Sequence, residues 1–291
     1  MKILITGANG FLGQHLSLHL AGKEFEVVAT SRGAGKIPLK ENIIYEEVEL
    51  TNSEAVFRLL DHHKPEVIIH TAAMSKPDEC NENKSLCLAA NVEATKHLLR
   101  FPAAHFIYIS TDFIYGENGP HDENEIPEPL NFYGESKLMA EGEVKKSGLQ
   151  YSIVRPVFIY GKTWEGLRPT FLHWVKNNLE QGKSIRVVSD QSRTPTYVED
   201  ICEGIYTIID KKATGDFHLA GKNILSPYDM AVATANILRL DASLIENVTS
   251  ETFPEPVRRA KRSGLKIEKA MQELNYNPVS FEEGVRLTFS I

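Results

Sequence analysis

The feature that most restricts this chain lies at its start. An aliphatic run from Lys2 to Thr6 stops at Gly7-Ala8-Asn9-Gly10-Phe11-Leu12-Gly13 and gives way at once to a helical pattern. Gly7 permits a tight turn, Gly10 lets the backbone approach a pyrophosphate, and Gly13 lets the helix pack on the strand while its N-terminus faces the anion. Glycines at this spacing are a weak signal alone, but their place between a first strand and a helix marks a dinucleotide site. Gly7, Asn9, Gly10, Phe11, Leu12 and Gly13 are therefore expected against the cofactor. The second strand runs out at Thr30-Ser31-Arg32. Sites for NAD usually carry an Asp or Glu there to accept from the ribose 2′-hydroxyl, and that carboxylate would repel a 2′-phosphate. Ser31 and Arg32 offer a hydroxyl and a guanidinium instead, so NADP is the favoured cofactor and NAD the other allowed one.

Beyond the loop, short β-branched runs alternate with longer amphipathic ones. Lys2 to Thr6, Glu26 to Thr30, Ile43 to Val48, Glu66 to His70, His105 to Ser110 and Tyr151 to Arg155 read as strands. Phe11 to Ala21, Ser53 to His63, Lys84 to Arg100 and Phe132 to Lys146 read as helices, the second opened by a cap at Thr51, Asn52 or Ser53. This alternation predicts an α/β fold, a Rossmann-type doubly wound parallel sheet. After Tyr160 the rhythm weakens, with a helix over Thr170 to Gln181 and a strand over Ile185 to Val188. The expected division is an NADP-binding domain over 1–160, taking in roughly 196–220, and a smaller C-terminal substrate-binding part over 161–291. Ligands of open α/β sheets lie beyond the carboxyl ends of the strands, so the site is expected in the cleft between the parts.

Composition narrows the partners. The 291 residues carry 32 Lys plus Arg against 39 Asp plus Glu, a net charge of −7, so no global field recruits nucleic acid or an anionic membrane. Any anionic ligand must be met locally. The three cysteines, Cys80, Cys87 and Cys202, match no zinc spacing and read as free buried thiols in a reducing compartment. Neither a signal peptide nor a membrane span is visible. A cytoplasmic protein is expected, with its oligomeric state open and a homodimer among the allowed assemblies.

Tyr133 and Lys137 stand four apart, on one face of the fourth helix. Such a lysine can lower the phenol's pKa and hold the cofactor ribose, leaving the tyrosine to act as acid or base. The pair is cheap by itself; its context is Ile109-Ser110-Thr111-Asp112-Phe113-Ile114-Tyr115-Gly116, which closes a strand on the same side as the glycine loop. Ser110 or Thr111 could donate to a substrate carbonyl, giving a hydroxyl, a phenol and an amine around the site of hydride transfer.

These motifs together with HTAA from His70, Asn91-Val92, PLNFYGESK from Pro129, RPVFIYG from Arg155, DQSRTPTYVED from Asp190 and a tail ending Ser263-Gly264-Leu265 resemble the extended short-chain dehydrogenases/reductases. Within them the chain is most similar to the dTDP-4-dehydrorhamnose reductase family, over nearly its whole length. The resemblance implies NADP(H)-dependent reduction of a 4-keto sugar nucleotide, in dTDP-rhamnose biosynthesis. Thr111, Tyr133 and Lys137 would be catalytic, with Tyr133 and Lys137 also touching the cofactor. Ala72 and Ala73 would lie near the cofactor, Asn91 would support the sheet, and Ser75, Asp78, Phe158 and Arg193 would meet the sugar nucleotide.

The departures matter as much. His15 stands where the family often has a Glu that contributes to a magnesium site, so no metal is expected. Phe158 replaces a usual Trp. Arg193 replaces a common Gly and, within RTPTYVED, resembles nucleotide-sugar epimerases and dehydratases in which such an Arg meets the diphosphate. A dehydratase would follow Asp112 with a Glu for proton transfer, whereas Phe113 stands here, and an epimerase would normally retain NAD through an acidic residue after the second strand. The chain also resembles the regulatory beta subunit of methionine adenosyltransferase, a non-catalytic NADP-binding protein.

Three other signals carry less. His62-His63 read as a surface helix end without metal-ligand partners. Arg258 to Arg262 is a basic run for a diphosphate or for solvent, and the acidic, Pro-rich Glu117 to Pro129 is a substrate-edge loop or a plain connection.

Overall fold

The computed structural model describes residues 1–38, 40–253 and 256–291. Six strands come first: β1 (Lys2–Thr6), β2 (Glu26–Ser31), β3 (Ile43–Glu47), β4 (Val67–His70), β5 (His105–Ile109) and β6 (Tyr151–Arg155). The later ones are β7 (Ile159–Tyr160), β8 (Ile185–Val188), β9 (Thr196–Tyr197), β10 (Gly215–His218) and β11 (Ile245–Val248). Helices α1 (Phe11–Gly22), α2 (Ser53–His63), α3 (Pro77–Glu82), α4 (Lys84–Leu88), α5 (Ala94–Leu99) and α6 (Phe132–Lys146) alternate with the early strands. The rest are α7 (Phe171–Glu180), α8 (Val198–Lys211), α9 (Pro227–Leu238), α10 (Glu268–Leu274) and α11 (Phe281–Phe289).

The central sheet has the order β10-β6-β5-β4-β1-β2-β3, and its neighbouring strands pair in parallel. Its inner strands β1, β4 and β5 are apolar on both sides because both sides are covered. Ile3 and Ile5 of β1, Val27 and Ala29 of β2 and Ile69 of β4 pack with Leu16 of α1 and Ile201 and Ile205 of α8. Leu4, Val28 and Ile68, one residue out of phase, pack with Val56 and Leu60 of α2, Leu98 of α5 and Val144 of α6. A separate apolar cluster joins α7, α9 and the two-stranded β8–β11 sheet through Val175, Leu179, Val187, Ala231 and Ile245.

The strand order reverses between β1 and β4, which opens a crevice at the carboxyl edge. Register aligns that edge: Thr6 lies beside Thr30 and His70, His70 beside Tyr108, and Ile109 beside Val154. The segments starting at Gly7, Thr71 and Ser110 therefore leave the sheet together. Among the described residues no helix is long and apolar enough to cross a membrane.

Of the three cap candidates for α2 it is Asn52 that serves, accepting from the amides of Glu54 and Ala55. One local reading changes. The helix expected over Lys84 to Arg100 is interrupted by a π-helical turn at Ala89–Glu93. Asn91 sits in that wider turn, where its side chain accepts from the Met74 amide (2.7 Å) and donates to the Met74 carbonyl (3.1 Å) and Ser136 Oγ (2.9 Å). It thus braces the segment after β4 against α6, rather than supporting the sheet.

Candidate active site

The glycine loop is shaped by contact. Gly7 has φ +68, and a Cβ there would come within 2.6 Å of the Ala72 amide nitrogen, so only glycine allows the turn to lie against the segment after β4. A Cβ on Gly13 would lie 2.3 Å from the Gly7 carbonyl oxygen, which is how closely α1 approaches the loop. Gly10 caps α1 without a side-chain bond, leaving the amides of Phe11 and Leu12 at the mouth of the loop without a capping oxygen. Ala72 and Ala73 follow β4 beside Gly7; the Thr71 hydroxyl donates to the Thr6 carbonyl (2.6 Å), and the Ala72 amide donates to Thr6 Oγ1 (3.3 Å).

Asn9 does something the sequence did not disclose. Its amide nitrogen reaches the carbonyls of Arg32 (3.3 Å) and Ala34 (3.0 Å), and its oxygen accepts from the Lys36 amide (2.9 Å). The Tyr45 hydroxyl, 3.1 Å from that amide nitrogen, donates to the Gly33 carbonyl at 2.6 Å. Together they fix the turn after β2, where Ser31 is half-buried and the Arg32 side chain is 82% exposed. No carboxylate replaces either residue, yet Glu49 comes from beyond β3 to 4.0 Å from Arg32 Nε.

At the end of β5, Thr111 is buried and its hydroxyl donates to Asp112 Oδ1 at 3.2 Å, near enough to the Tyr133 phenol to favour its ionised form slightly. Helix α6 starts where Asn131 accepts from the Gly134 amide, while the same side chain donates to the Arg258 carbonyl at 2.9 Å. Tyr133 is buried and packs edge-on to Phe113 with ring centroids 5.4 Å apart. Lys137 is 2% exposed; its Nζ donates to the Ile109 carbonyl at 2.7 Å and lies 4.1 Å over the Tyr108 ring. Burial lowers its pKa to about 7 against a partial opposing pull from Glu141. Burial pushes the Tyr133 phenol up, opposed by the Thr111 hydroxyl. The expectation that Lys137 depresses the phenol is therefore not met in this arrangement: the amine is turned to a carbonyl, and the phenol is held as an acid. A buried ion pair anchors α6 to the sheet, with Arg155 donating to both oxygens of Glu141 (2.9 and 2.7 Å), to the Tyr115 hydroxyl (2.9 Å) and to Asp216 (2.7 Å).

Three of the expected substrate residues are engaged with residues outside that set. Arg193 is 8% exposed and donates to Ser263 Oγ (2.8 Å) and Gln191 Oε1 (2.7 Å), so a diphosphate would have to displace those bonds. Asp78 accepts from Arg259 at 2.8 Å with one oxygen, while its other oxygen is buried without a hydrogen-bond partner among the described residues. Ser75, three residues earlier in the chain, is exposed. Phe158 is half-buried with φ +41, a left-handed conformation unusual for an aromatic residue, and meets Phe171 edge-on at 5.7 Å.

The basic run keeps Arg258, Lys261 and Arg262 exposed to solvent while its backbone is held in place. Gly119 donates to the Arg262 carbonyl (2.9 Å) and Ser192 to the Lys261 carbonyl (2.8 Å), so this stretch is threaded between two loops. Glu117 accepts from the Lys261 amide and lies 3.7 Å from Arg258, which makes the 117–129 loop a wall for the tail. His15 is likewise committed, to Glu199 at 2.6 Å and to the Lys162 carbonyl at 2.9 Å.

The family described as the RmlD substrate binding domain matches residues 1–290. A dTDP-4-dehydrorhamnose reductase from Aggregatibacter actinomycetemcomitans is 27% identical over 302 residues, 98% of this chain and 97% of its own. Methionine adenosyltransferase 2 subunit beta from Rattus norvegicus is 31% identical over 271 residues, covering 90% of this chain and 78% of its own length. A solved dTDP-4-dehydrorhamnose reductase from Bacillus anthracis, in complex with NADP, superposes with a TM-score of 0.87 at 26% identity, over 99% of this chain and 98% of its own.

Proposed function

The chain belongs to the RmlD substrate binding domain family, and from that membership we propose that it uses NADPH to reduce the 4-keto group of a nucleotide-linked sugar. The observation that carries this reading is the meeting of Thr111 and Tyr133 in one buried cluster with Lys137, at the sheet edge where the Gly7 loop also opens. The residues present fit NADP: a loop that a Cβ at Gly7 would fill, an uncapped helix start, and a hydroxyl and guanidinium after β2.

NADPH, when bound, supplies the hydride. Hydride arrival at the carbonyl carbon leaves an alkoxide that needs one proton, and the Tyr133 phenol, held in its acid form by burial, supplies it. Thr111 donates to the same oxygen and shares its developing charge. Lys137, now donating to the Ile109 carbonyl, would hold the cofactor ribose and keep the tyrosine in place. Asp78 and Arg259 part to meet the sugar and its phosphates, and Arg193 exchanges Ser263 and Gln191 for the diphosphate. Residues 1–160 with roughly 196–220 would then serve the cofactor, and 161–291 mainly the substrate. We assign a dTDP-linked sugar of rhamnose biosynthesis and a cytoplasmic setting, the latter supported by three free buried thiols.

A second reading, an NADP-binding subunit without turnover, is favoured by the 31% identity to the rat methionine adenosyltransferase subunit. One assay separates the two. The purified chain, given NADPH and dTDP-4-dehydrorhamnose, should consume one for one and yield the reduced sugar by mass spectrometry. Tight NADPH binding without turnover of that substrate or its UDP-linked analogue would sink the reductase.

A further inference from the structure

Glu46 lies on the edge strand β3, and His62 and His63 end helix α2. One ligand atom from each lies within 4.8 Å of the other two. His63 Nε2 and Glu46 Oε1 are 2.5 Å apart, and the two imidazole rings stand nearly perpendicular with centroids 4.6 Å apart. His63 is buried and Glu46 partly so, whereas His62 is exposed. The sequence reading of a surface helix end therefore describes His62 and fails for His63, whose carboxylate partner comes from a strand 17 residues upstream.

We propose that Glu46, His62 and His63 bind a divalent transition-metal ion, zinc foremost. Two imidazole nitrogens and one carboxylate oxygen are the donors zinc takes at ~2.0–2.2 Å, whereas magnesium and calcium call for oxygen alone. Tetrahedral binding at those lengths sets the ligand atoms roughly 3.4 Å apart. The Glu46–His63 contact opens by less than the width of an atom to reach that spacing, and exposed His62 has the freedom to swing in. Water fills the fourth position. The imidazoles lie in the last turn of α2, where the carbonyl end of the helix favours a cation. Glu46 is itself fixed, because Thr30 Oγ1 donates to its backbone carbonyl at 2.8 Å. An ion there clasps α2 to the strand pair whose next residue is Ser31, a place separate from the hydride-transfer cluster.

The test uses the metal-stripped full chain titrated with zinc chloride alone by calorimetry, with cobalt(II) absorption as a report of the coordination. Saturable binding of one equivalent at micromolar zinc, a raised Tm and no response to magnesium are expected. His62→Ala removes an exposed side chain, so the fold survives and affinity should fall by at least roughly tenfold. Glu46→Gln should do the same. No saturable zinc binding overturns the site, as does binding that survives both substitutions. Loss on His19→Ala alone would place the ion between α1 and α8, at His15, His19 and Glu199, and would overturn it equally.

Discussion

Two corners of one sheet edge, at the ends of β5 and β2, are built on opposite physical terms. At the β5 end, Thr111, Tyr133 and Lys137 are buried, so desolvation sets their chemistry: the amine falls to about 7 and the phenol rises. At the β2 end, Arg32 is 82% exposed and works through water against a neighbouring carboxylate. Enclosure lets a few groups change a rate by orders of magnitude, whereas exposure limits a charge to ordinary screened attraction. Substitutions at the first corner should move turnover, and those at the second should move affinity.

Tyr133→Phe should give the largest effect. The ring and its edge contact with Phe113 remain and only the proton is lost, so kcat should fall by about 10² to 10⁴ while NADPH affinity changes little. Stopped-flow turnover beside fluorescence titration of NADPH reads both. Retention of full kcat on an authentic substrate would break the contrast, because the enclosed phenol would then carry no step.

Lys137→Met sharpens the same corner through stability. The amine's native pKa of about 7 lies below its ordinary value, so between roughly pH 7 and 10.5 the unfolded chain binds more protons and stability rises with pH. Below that window the buried amine carries its full desolvation penalty; above it, none. Lys137→Met, which never carries a charge, should lose turnover yet resist urea better than the native chain at pH 6, with the advantage shrinking by pH 9. A constant difference between the two proteins across that range would show that the amine is not held neutral by burial.

Both corners were partly legible in the sequence, for different reasons. The strands stood out because burial on both faces demands unbroken aliphatic runs, and the glycine loop because three local backbone constraints fall within seven residues. Thr111, Tyr133 and Lys137 were singled out by a motif whose context is also local. What stayed hidden is what distant segments bring to a residue. Arg193 reads as a free cation until Ser263, 70 residues on, takes its guanidinium. His63 looks exposed until Glu46 is set beside it, and nothing before Lys84 announces that Asn91 will open a π-turn to grip Met74. Asn9 reads as a cofactor ligand, although its side chain mainly braces the turn after β2.

At the exposed corner the effects are smaller. Arg32→Ala should weaken NADPH and leave NADH nearly unchanged. Charged hydrogen bonds are worth ~1.5–3 kcal/mol, and exposure sets this one at the low end, near a tenfold loss. Isothermal titration with both cofactors reads the selectivity. Equal losses for NADPH and NADH would mean that Arg32 serves the turn and not the 2′-phosphate.

The smallest effect tests whether the exposed corner is already partly neutralised. Glu49 is held on one side by the Thr51 amide, which donates to Oε1 at 3.1 Å, so that Oε2 points to Arg32 at 4.0 Å. A 2′-phosphate arriving at Arg32 must compete with that carboxylate and also feels its repulsion. Exposed pairs of this kind contribute ~0.2–1 kcal/mol, so Glu49→Gln should tighten NADPH by at most about fivefold, with NADH unaffected. The gain should fade as ionic strength rises, since the Debye length is about 10 Å at 0.1 M and shorter above it. The double variant with Arg32→Ala separates the two routes by which Glu49 can act. If the carboxylate works by occupying the guanidinium, its removal tightens nothing once Arg32 is gone. If Glu49→Gln improves NADPH binding equally with and without Arg32, the carboxylate repels the phosphate directly, and the pair seen at 4.0 Å is a bystander.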